Sequence, residues 1–263
     1  SQADPKASRR RVKLTLAYDG TDFRGWAAQA GQRTVQGTLT QCLRHVTGEG
    51  IEVFGASRTD GGAHARGQVC HFDVSANVPV EKWPRILNRS LPEDLRVVSA
   101  QGVGADFHAR FCADWRRYIY RILLEPADPF RLRAAYGYPR PLDLERMRHA
   151  AAHLVGEHDF LAFTEELDPS VENTVRTLYQ VEVTEKDRQV EVEIVGTAFL
   201  RGMMRRISGC LFEVGRGQRE PDAARDLLTE RRDSMHWPVV LPAKGLTLEE
   251  VRYSDPPVDH RTE

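Results

Sequence analysis

The 263-residue chain has no uninterrupted apolar run near the roughly 18 residues that a membrane-spanning helix needs. Its opening Ser1-Gln2-Ala3-Asp4-Pro5-Lys6 also lacks the apolar stretch of a secretory leader. A cytoplasmic protein with no membrane partner is expected. Cysteine is scarce: Cys42, Cys70, Cys112 and Cys210 lie far apart, with no C-x-x-C, and no histidine cluster is read at ligand spacing. That argues against a zinc site or a disulfide framework, so no metal is expected and the thiols are taken as reduced and mostly buried. Lysine is scarcer than arginine, five of 37 basic residues. Arginine's planar fork suits phosphate and stacks on bases, although a GC-rich genome produces the same bias.

With 38 acidic residues the formal net charge is -1, which on its face disfavours a polyanionic partner. The distribution says otherwise. Residues 1–142 hold 21 basic and 14 acidic side chains, whereas 143–263 hold 16 and 24. Within the acidic half, 196–219 carries Arg201, Arg205, Arg206, Arg216 and Arg219 against Glu213 alone. Arg9-Arg10-Arg11, Arg116-Arg117 and Arg201-Arg205-Arg206 are candidate phosphate contacts, with a solvated face as the alternative for each.

Hydrophobic patterning gives the same element order twice. In the first half, strands are expected at 13–18, 51–56, 68–74 and 95–103. Helices are expected after Thr38, up to Gly48, and over 80–88. In the second half, strands are expected at 117–124, 175–184, 190–199 and 246–253, with helices at 144–154 and from Met203 to Val214 and an extra one at 221–230. Each half reads βαββαβ, a split-βαβ or ferredoxin-like unit, which predicts an α+β fold whose two subdomains share a mostly antiparallel sheet with a central cleft. The expected bounds are 12–106 and 107–254, flanked by flexible tails at 1–11 and 255–263.

The stretch richest in chemistry is Ser57-Arg58-Thr59-Asp60-Gly61-Gly62-Ala63-His64-Ala65-Arg66-Gly67-Gln68. About ten residues join two expected strands where two to five would close a hairpin, and long glycine-rich charged connections are where sites are built. Gly61-Gly62 permits a sharp bend that presents Asp60, and Arg58 can hold that carboxylate ionised. An Asp-Gly turn with a surface ion pair accounts for the same spacing.

Arg58-Thr59-Asp60-x-Gly62-x-His64-Ala65-x-Gly67-Gln68-Val69 closely resembles the catalytic motif of the TruA family of tRNA pseudouridine synthases. Further ordered matches cover most of the chain: Tyr18-Asp19-Gly20-Thr21-x-Phe23-x-Gly25-Trp26, Thr34-Val35-Gln36-Gly37, Phe107-His108-Ala109-Arg110-Phe111, Arg116-Arg117-Tyr118-Ile119-Tyr120, Asp159-Phe160-x-Ala162-Phe163, Thr174-Val175-Arg176 and Phe199-Leu200-x-x-Met203-Met204-Arg205-Arg206-Ile207-x-Gly209. Three positions depart from the family pattern: Gly61 where Ala or Lys is usual, Ala63 where Val is usual, and Ser57 where Gly is frequent.

The resemblance implies the pseudouridine synthase fold and the isomerisation of uridine to pseudouridine in tRNA, without metal or cofactor. It implies uridines 38, 39 and 40 of the anticodon arm as targets and a homodimer as the working form. Asp60 is then the nucleophile, a role an ionised carboxylate fills elsewhere. Arg205 corresponds to the arginine that pairs with it, and Arg58 both restrains Asp60 and supports the flipped nucleotide. Tyr118 corresponds to the tyrosine that stacks on the uracil and helps remove the C5 proton; on its strand pattern alone it could be core, as could Tyr120. His64 and Gln68 are grouped with the substrate-facing residues and expected to fix the loop, and Arg116, Arg117, Arg201 and Arg206 to meet RNA. All six arginines at 58, 116, 117, 201, 205 and 206 are expected to border one positive cleft. The competing readings are a non-catalytic RNA-binding or RNA-folding module on ferredoxin-like sheets, and a metal-dependent phosphodiesterase built on Asp19, Asp22, Asp60 and His64.

Overall fold

The computed structural model describes residues 9–125, 128–164, 173–229 and 237–253. In chain order the elements are β1 (Arg10–Tyr18), α1 (Val35–Thr47), β2 (Val53–Gly55), β3 (His64–Val74), α2 (Trp83–Asn88), β4 (Leu95–Val103), β5 (Trp115–Leu123), α3 (Pro129–Leu132), β6 (Tyr136–Gly137), α4 (Leu144–Leu154), β7 (Gly156–Asp159), β8 (Val175–Lys186), β9 (Gln189–Gly196), α5 (Met203–Gly215), α6 (Ala223–Asp226) and β10 (Leu246–Arg252). They form two compact units. Residues 9–113 with Leu248–Tyr253 make the first, and Asp114–Thr247 the second.

In the first unit the strands run in the order β4-β1-β3, with β2 on the far side of β3, and these three pairings are antiparallel. Order 4-1-3-2 is that of a ferredoxin-like βαββαβ unit, as the sequence pattern predicts. β1 alternates strictly, burying Val12, Leu14, Leu16 and Tyr18 on one face, the period-2 signature of a half-covered sheet. Helix α1 starts earlier than the sequence suggested. Thr34, buried, caps it by accepting from the Gly37 N–H at 3.2 Å, and Gly48 at φ 70° stops it. The apolar stripe therefore begins at Val35. α2 lies on β4 and meets α1, with Trp83 and Leu87 wholly covered.

In the second unit β5, β9 and β8 are neighbours in that order, and β7 extends the row beyond β8. The first, third and second strands of this half thus repeat the first unit's 1-3-2 order. β8 and β9 close on Asp187 and Arg188, both at positive φ (51° and 60°), which matches the strand twist as a type I′ turn does. α4 packs on β8, α5 and α6, and α5 on β5. The short β6, parallel to β5, β7 and α3 carry too little period to be read from sequence. α6 is only four residues, so most of the helix expected at 221–230 is not formed, and residue 230 lies outside the described residues.

The tail expected at 1–11 is shorter. β1 begins at Arg10, and Arg11 makes a two-pronged ion pair with Asp73 at 2.8 and 2.9 Å while donating to the carbonyls of Ala105 and Phe107. Arg11 is therefore a fastener of the first unit and not a free phosphate ligand. Residues 1–8 and 254–263, the rest of the expected tails, lie outside the described residues. Cys42, Cys70 and Cys210 are buried free thiols, while Cys112 is exposed.

Beside Arg11, His71 is buried against Phe54, with rings 5.1 Å apart, and its Nδ1 accepts from the Ala109 N–H at 3.0 Å. Burial foremost, then the charges of Arg11 and His108, pull its pKa down to about 4. A native pKa below the unfolded value means that the unfolded chain takes up the proton first. Stability is full above about pH 6.5 and falls as the pH drops toward 4, by up to roughly 3 kcal/mol. Urea midpoints at about pH 7 and about pH 4.5 should show this loss, and His71→Asn, which keeps an acceptor but cannot charge, should flatten it. Equal slopes in the two proteins would exclude His71 as the titrating group.

Candidate active site

Asp60 sits between β2 and β3 in a loop tied to its surroundings by backbone hydrogen bonds at Ala56, Thr59 and Gly62. Since β3 begins at His64, this connection is residues 56–63, shorter than the sequence suggested. Ala63 N–H donates to Asp60 O at 3.0 Å, and Gly62 at φ 87° fills the left-handed third position of that turn. Gly61 has no such φ, and a methyl placed on it would meet Arg24 only at ordinary contact, 3.7 Å. Of the two glycines only Gly62 is required by the backbone.

Outside the turn, Trp26 N–H donates to Thr59 O at 3.1 Å and Gly62 N–H to Phe23 O at 3.3 Å. Gly20 lies so near that a Cβ on it would collide with the carbonyl oxygen of Ala63. The Gly20 N–H donates to His64 Nδ1 at 2.9 Å. Since an N–H can only donate, that ring nitrogen is unprotonated, and the Asp19 carboxylate 3.3 Å from it is not in an ion pair there. Thr59, also buried, shares a 2.7 Å hydrogen bond with Tyr18 Oη.

Gln68, fully buried on β3, holds Ser57, the loop's second residue, with both ends of its amide. Its Nε2 donates to Ser57 O at 2.6 Å and its Oε1 accepts from Ser57 N–H at 3.3 Å and Val69 N–H at 3.1 Å. His64 and Gln68 thus brace the loop from within. Asp60 itself is half-buried, while Arg58 is exposed and, among the described residues, makes no hydrogen bond or ion pair. The expected Arg58–Asp60 pair is not formed, because the turn at 60–63 is held by backbone contacts and leaves residue 58 facing solvent.

In the second unit, Tyr118 and Tyr120 share a face of β5. Tyr120 is core: its hydroxyl donates to Pro242 O at 2.6 Å and burial raises its pKa. Tyr118 is 6% exposed and meets the Phe199 ring edge-on, centroids 4.9 Å apart. Arg116 lies on that same face, buried, and donates to Thr197 O at 2.6 Å. Strand alternation, unbroken in the β5–β9 register, sends Arg117 to the opposite face, 3.8 Å from Glu193. Arg116 and Arg117 cannot border the same surface, which corrects the expectation that all six arginines do.

Arg201, Arg205 and Arg206 come at the start of α5. Arg201 is exposed; Arg205 donates through Nε to Leu241 O at 2.8 Å, and Arg206 donates to Pro238 O at 3.1 Å with its guanidinium over Trp237. Part of this basic island therefore fastens the 237–241 segment to α5. Asp19, Asp22, Asp60 and His64 do not form a metal-ligand cluster, so the phosphodiesterase reading lacks its centre.

Tyr18, Thr59, Gly20 and Phe199 have no role assigned from sequence. All four stand inside family motifs, yet long-range pairing carries no local signal.

A family model described as tRNA pseudouridine synthase matches residues 15–112 and 150–254. The chain belongs to the tRNA pseudouridine synthase family. It is thereby an isomerase. The match spans the whole Asp60 loop and Arg201, Arg205 and Arg206, whereas Arg116, Arg117 and Tyr118 fall between its two segments. Among relatives named tRNA pseudouridine synthase A, the Brevibacillus brevis protein is 46% identical over 245 residues, 93% of this chain and all of that one. Those of Bacillus velezensis and Maridesulfovibrio salexigens are 40% and 38% identical over 248 residues, 93% of this chain in each case and 100% and 91% of theirs. A solved archaeal box H/ACA sRNP Nop10-Cbf5 complex aligns with 76% of this chain and 44% of that one at 11% identity and a TM-score of 0.34, too slight a likeness to build on.

The loop's geometry sets two substitutions apart. Gly61→Ala should be accommodated and raise stability by about 0.4–1 kcal/mol, since it removes only unfolded-state freedom. Gly20→Ala should lower the melting temperature by several degrees and abolish pseudouridine formation together with it, because Ala63 O must move. Thermal melts and an activity assay on both proteins check this; a neutral Gly20→Ala would mean that the loop is looser than its contacts imply.

Proposed function

We propose that the chain converts uridine to pseudouridine in tRNA, with Asp60 as nucleophile and uridines 38, 39 and 40 of the anticodon arm as targets. The observation that carries this is the construction of the loop: eight residues whose anchors are motif residues, all serving to hold one half-buried carboxylate at a turn. A structural Asp-Gly turn needs no such bracing. Preorganised placement is what a nucleophile requires.

In the reaction the glycosidic bond to N1 breaks, the base turns, and C5 joins the ribose in its place. N1 ends with a proton and C5 without one, so the sum is an isomerisation that consumes no cofactor. The uridine must leave its stack to reach Asp60. Tyr118 is proposed to stack on the freed base and help take the C5 proton, with Phe199 fixing its ring. Arg205's assignment as the ionic partner of Asp60 rests on the family resemblance alone. Arg58, exposed and unengaged among the described residues, suits a contact made only when RNA is bound. Arg201 is the next candidate for a phosphate contact, and Arg116, Arg117 and Arg206 are secondary ones given their protein partners. His64 and Gln68 support the substrate site through the loop. The protein is proposed to work as a cytoplasmic homodimer, which light scattering on the purified protein checks.

Asp60→Asn should fold and bind tRNA as the parent does, and lose pseudouridine formation by a factor on the order of 10⁴ or more. The measurement is single-base mapping of pseudouridine in unmodified tRNA transcripts. Turnover near the parent's would remove Asp60 from the chemistry, and product at positions other than 38–40 would redirect the target. Arg58→Ala should leave the melting temperature unchanged while lowering turnover, since it has no partner to lose among the described residues; a stability loss instead would make Arg58 structural.

A further inference from the structure

His149 and His153 stand one turn apart on α4, and both direct Nε2 at one oxygen, Asp222 Oδ1, at 3.3 and 3.0 Å. Their rings are 5.3 Å apart, and the three ligand atoms lie within 4.8 Å of one another. The i, i+4 spacing places both imidazoles on one helix face. Asp222 leads into α6, against which α4 packs, so the cluster joins two elements of the second unit. The sequence reading expected no histidine cluster at ligand spacing; His149-x-x-x-His153 corrects it.

Donor atoms held at ~2.0–2.1 Å around a tetrahedral ion are about 3.3 Å from each other. The two imidazole–carboxylate separations already have that size. The imidazole–imidazole edge closes by rotating His149, whose side chain is 60% exposed. Two imidazole nitrogens and one carboxylate oxygen suit zinc, nickel or cobalt, and not calcium or magnesium, which take all-oxygen shells.

We propose that His149, His153 and Asp222 bind one divalent transition-metal ion of the zinc class, with water completing its coordination. The ion clips α4 to the turn ahead of α6. None of these residues belongs to the Asp60 loop or to the arginines assigned to RNA, so the site is structural and separate from the isomerase chemistry. Neither Nδ1 has a hydrogen-bond partner among the described residues, and Arg225 acts on the charge of Asp222. Without second-layer orientation of the imidazoles the affinity is moderate.

The test is titration of the metal-stripped full-length protein with zinc by calorimetry, with cobalt absorption as a report of coordination number. One equivalent should bind, the melting temperature should rise with zinc, and magnesium should do neither. His149→Ala and Asp222→Asn should each weaken zinc binding about tenfold or more, with circular dichroism confirming that both fold. His45→Ala, which removes an exposed histidine elsewhere, should change nothing. The proposal is overturned by no saturable binding, by binding that survives both substitutions, or by binding that is lost instead on Cys112→Ser.

Discussion

The close approach of the Gly20 backbone to Ala63 is the constraint on which the rest of the first unit's site depends. With no side chain in the way, the turn after β1 comes near enough for its N–H to reach His64 Nδ1. That fixes the start of β3, and the turn that presents Asp60 ends one residue before it. The same turn gives Phe23 O to the Gly62 N–H, so the loop is held from its own strand on one side and from the β1 turn on the other. Any side chain at position 20 would separate the two. Tyr18 and Gln68 then add a second layer: Tyr18 Oη meets Thr59, and Gln68 Nε2 reaches Tyr18 Oη at 3.4 Å as well as Ser57. Breaking any one member leaves buried polar atoms without partners, which costs more than the bond itself is worth.

The second unit uses its charges differently from what their number suggests. Arg116 is nearly fully buried and spends its guanidinium on Thr197 O; Arg205 and Arg206 reach the carbonyls of Leu241 and Pro238; Arg219 pairs with Glu213 at 3.1 Å. A planar group with five donors is well matched to such carbonyl-rich segments. Basic clusters in a sequence therefore mix two populations, fasteners and solvent-facing residues, which a charge count cannot separate.

The architecture was legible because periodicity is local. The strict alternation of β1 and the stripes of α4 and α5 show directly in the residues, and β4 and α4 fall where the pattern placed them. β6, β7 and α3 are only two to four residues long, too short for a period to emerge. The cap at Thr34 was missed because Thr38 offers the same chemistry four residues later. In the site, the glycine pair already put Asp60 at a bend, but the role expected of it came from resemblance, since one carboxylate has no pattern of its own. What sequence could not convey was who touches whom: Arg58 and Asp60 are two residues apart yet do not pair with each other, while Tyr18 and Thr59 are 41 apart and bonded. The opposite facing of Arg116 and Arg117, by contrast, was implicit in a strand period and needed only to be applied.

The anchors of the Asp60 loop named above, Tyr18, Gly20, Phe23, Trp26, His64 and Gln68, all come from the first unit's own chain. The backbone that carries the carboxylate is thus set in position before any ligand arrives. Free energy gained on association is not drawn down to order this segment, so the loop should have the same amide-exchange protection in the free protein as in a complex, and differences between good and poor ligands should arise from how far each must distort itself to fit.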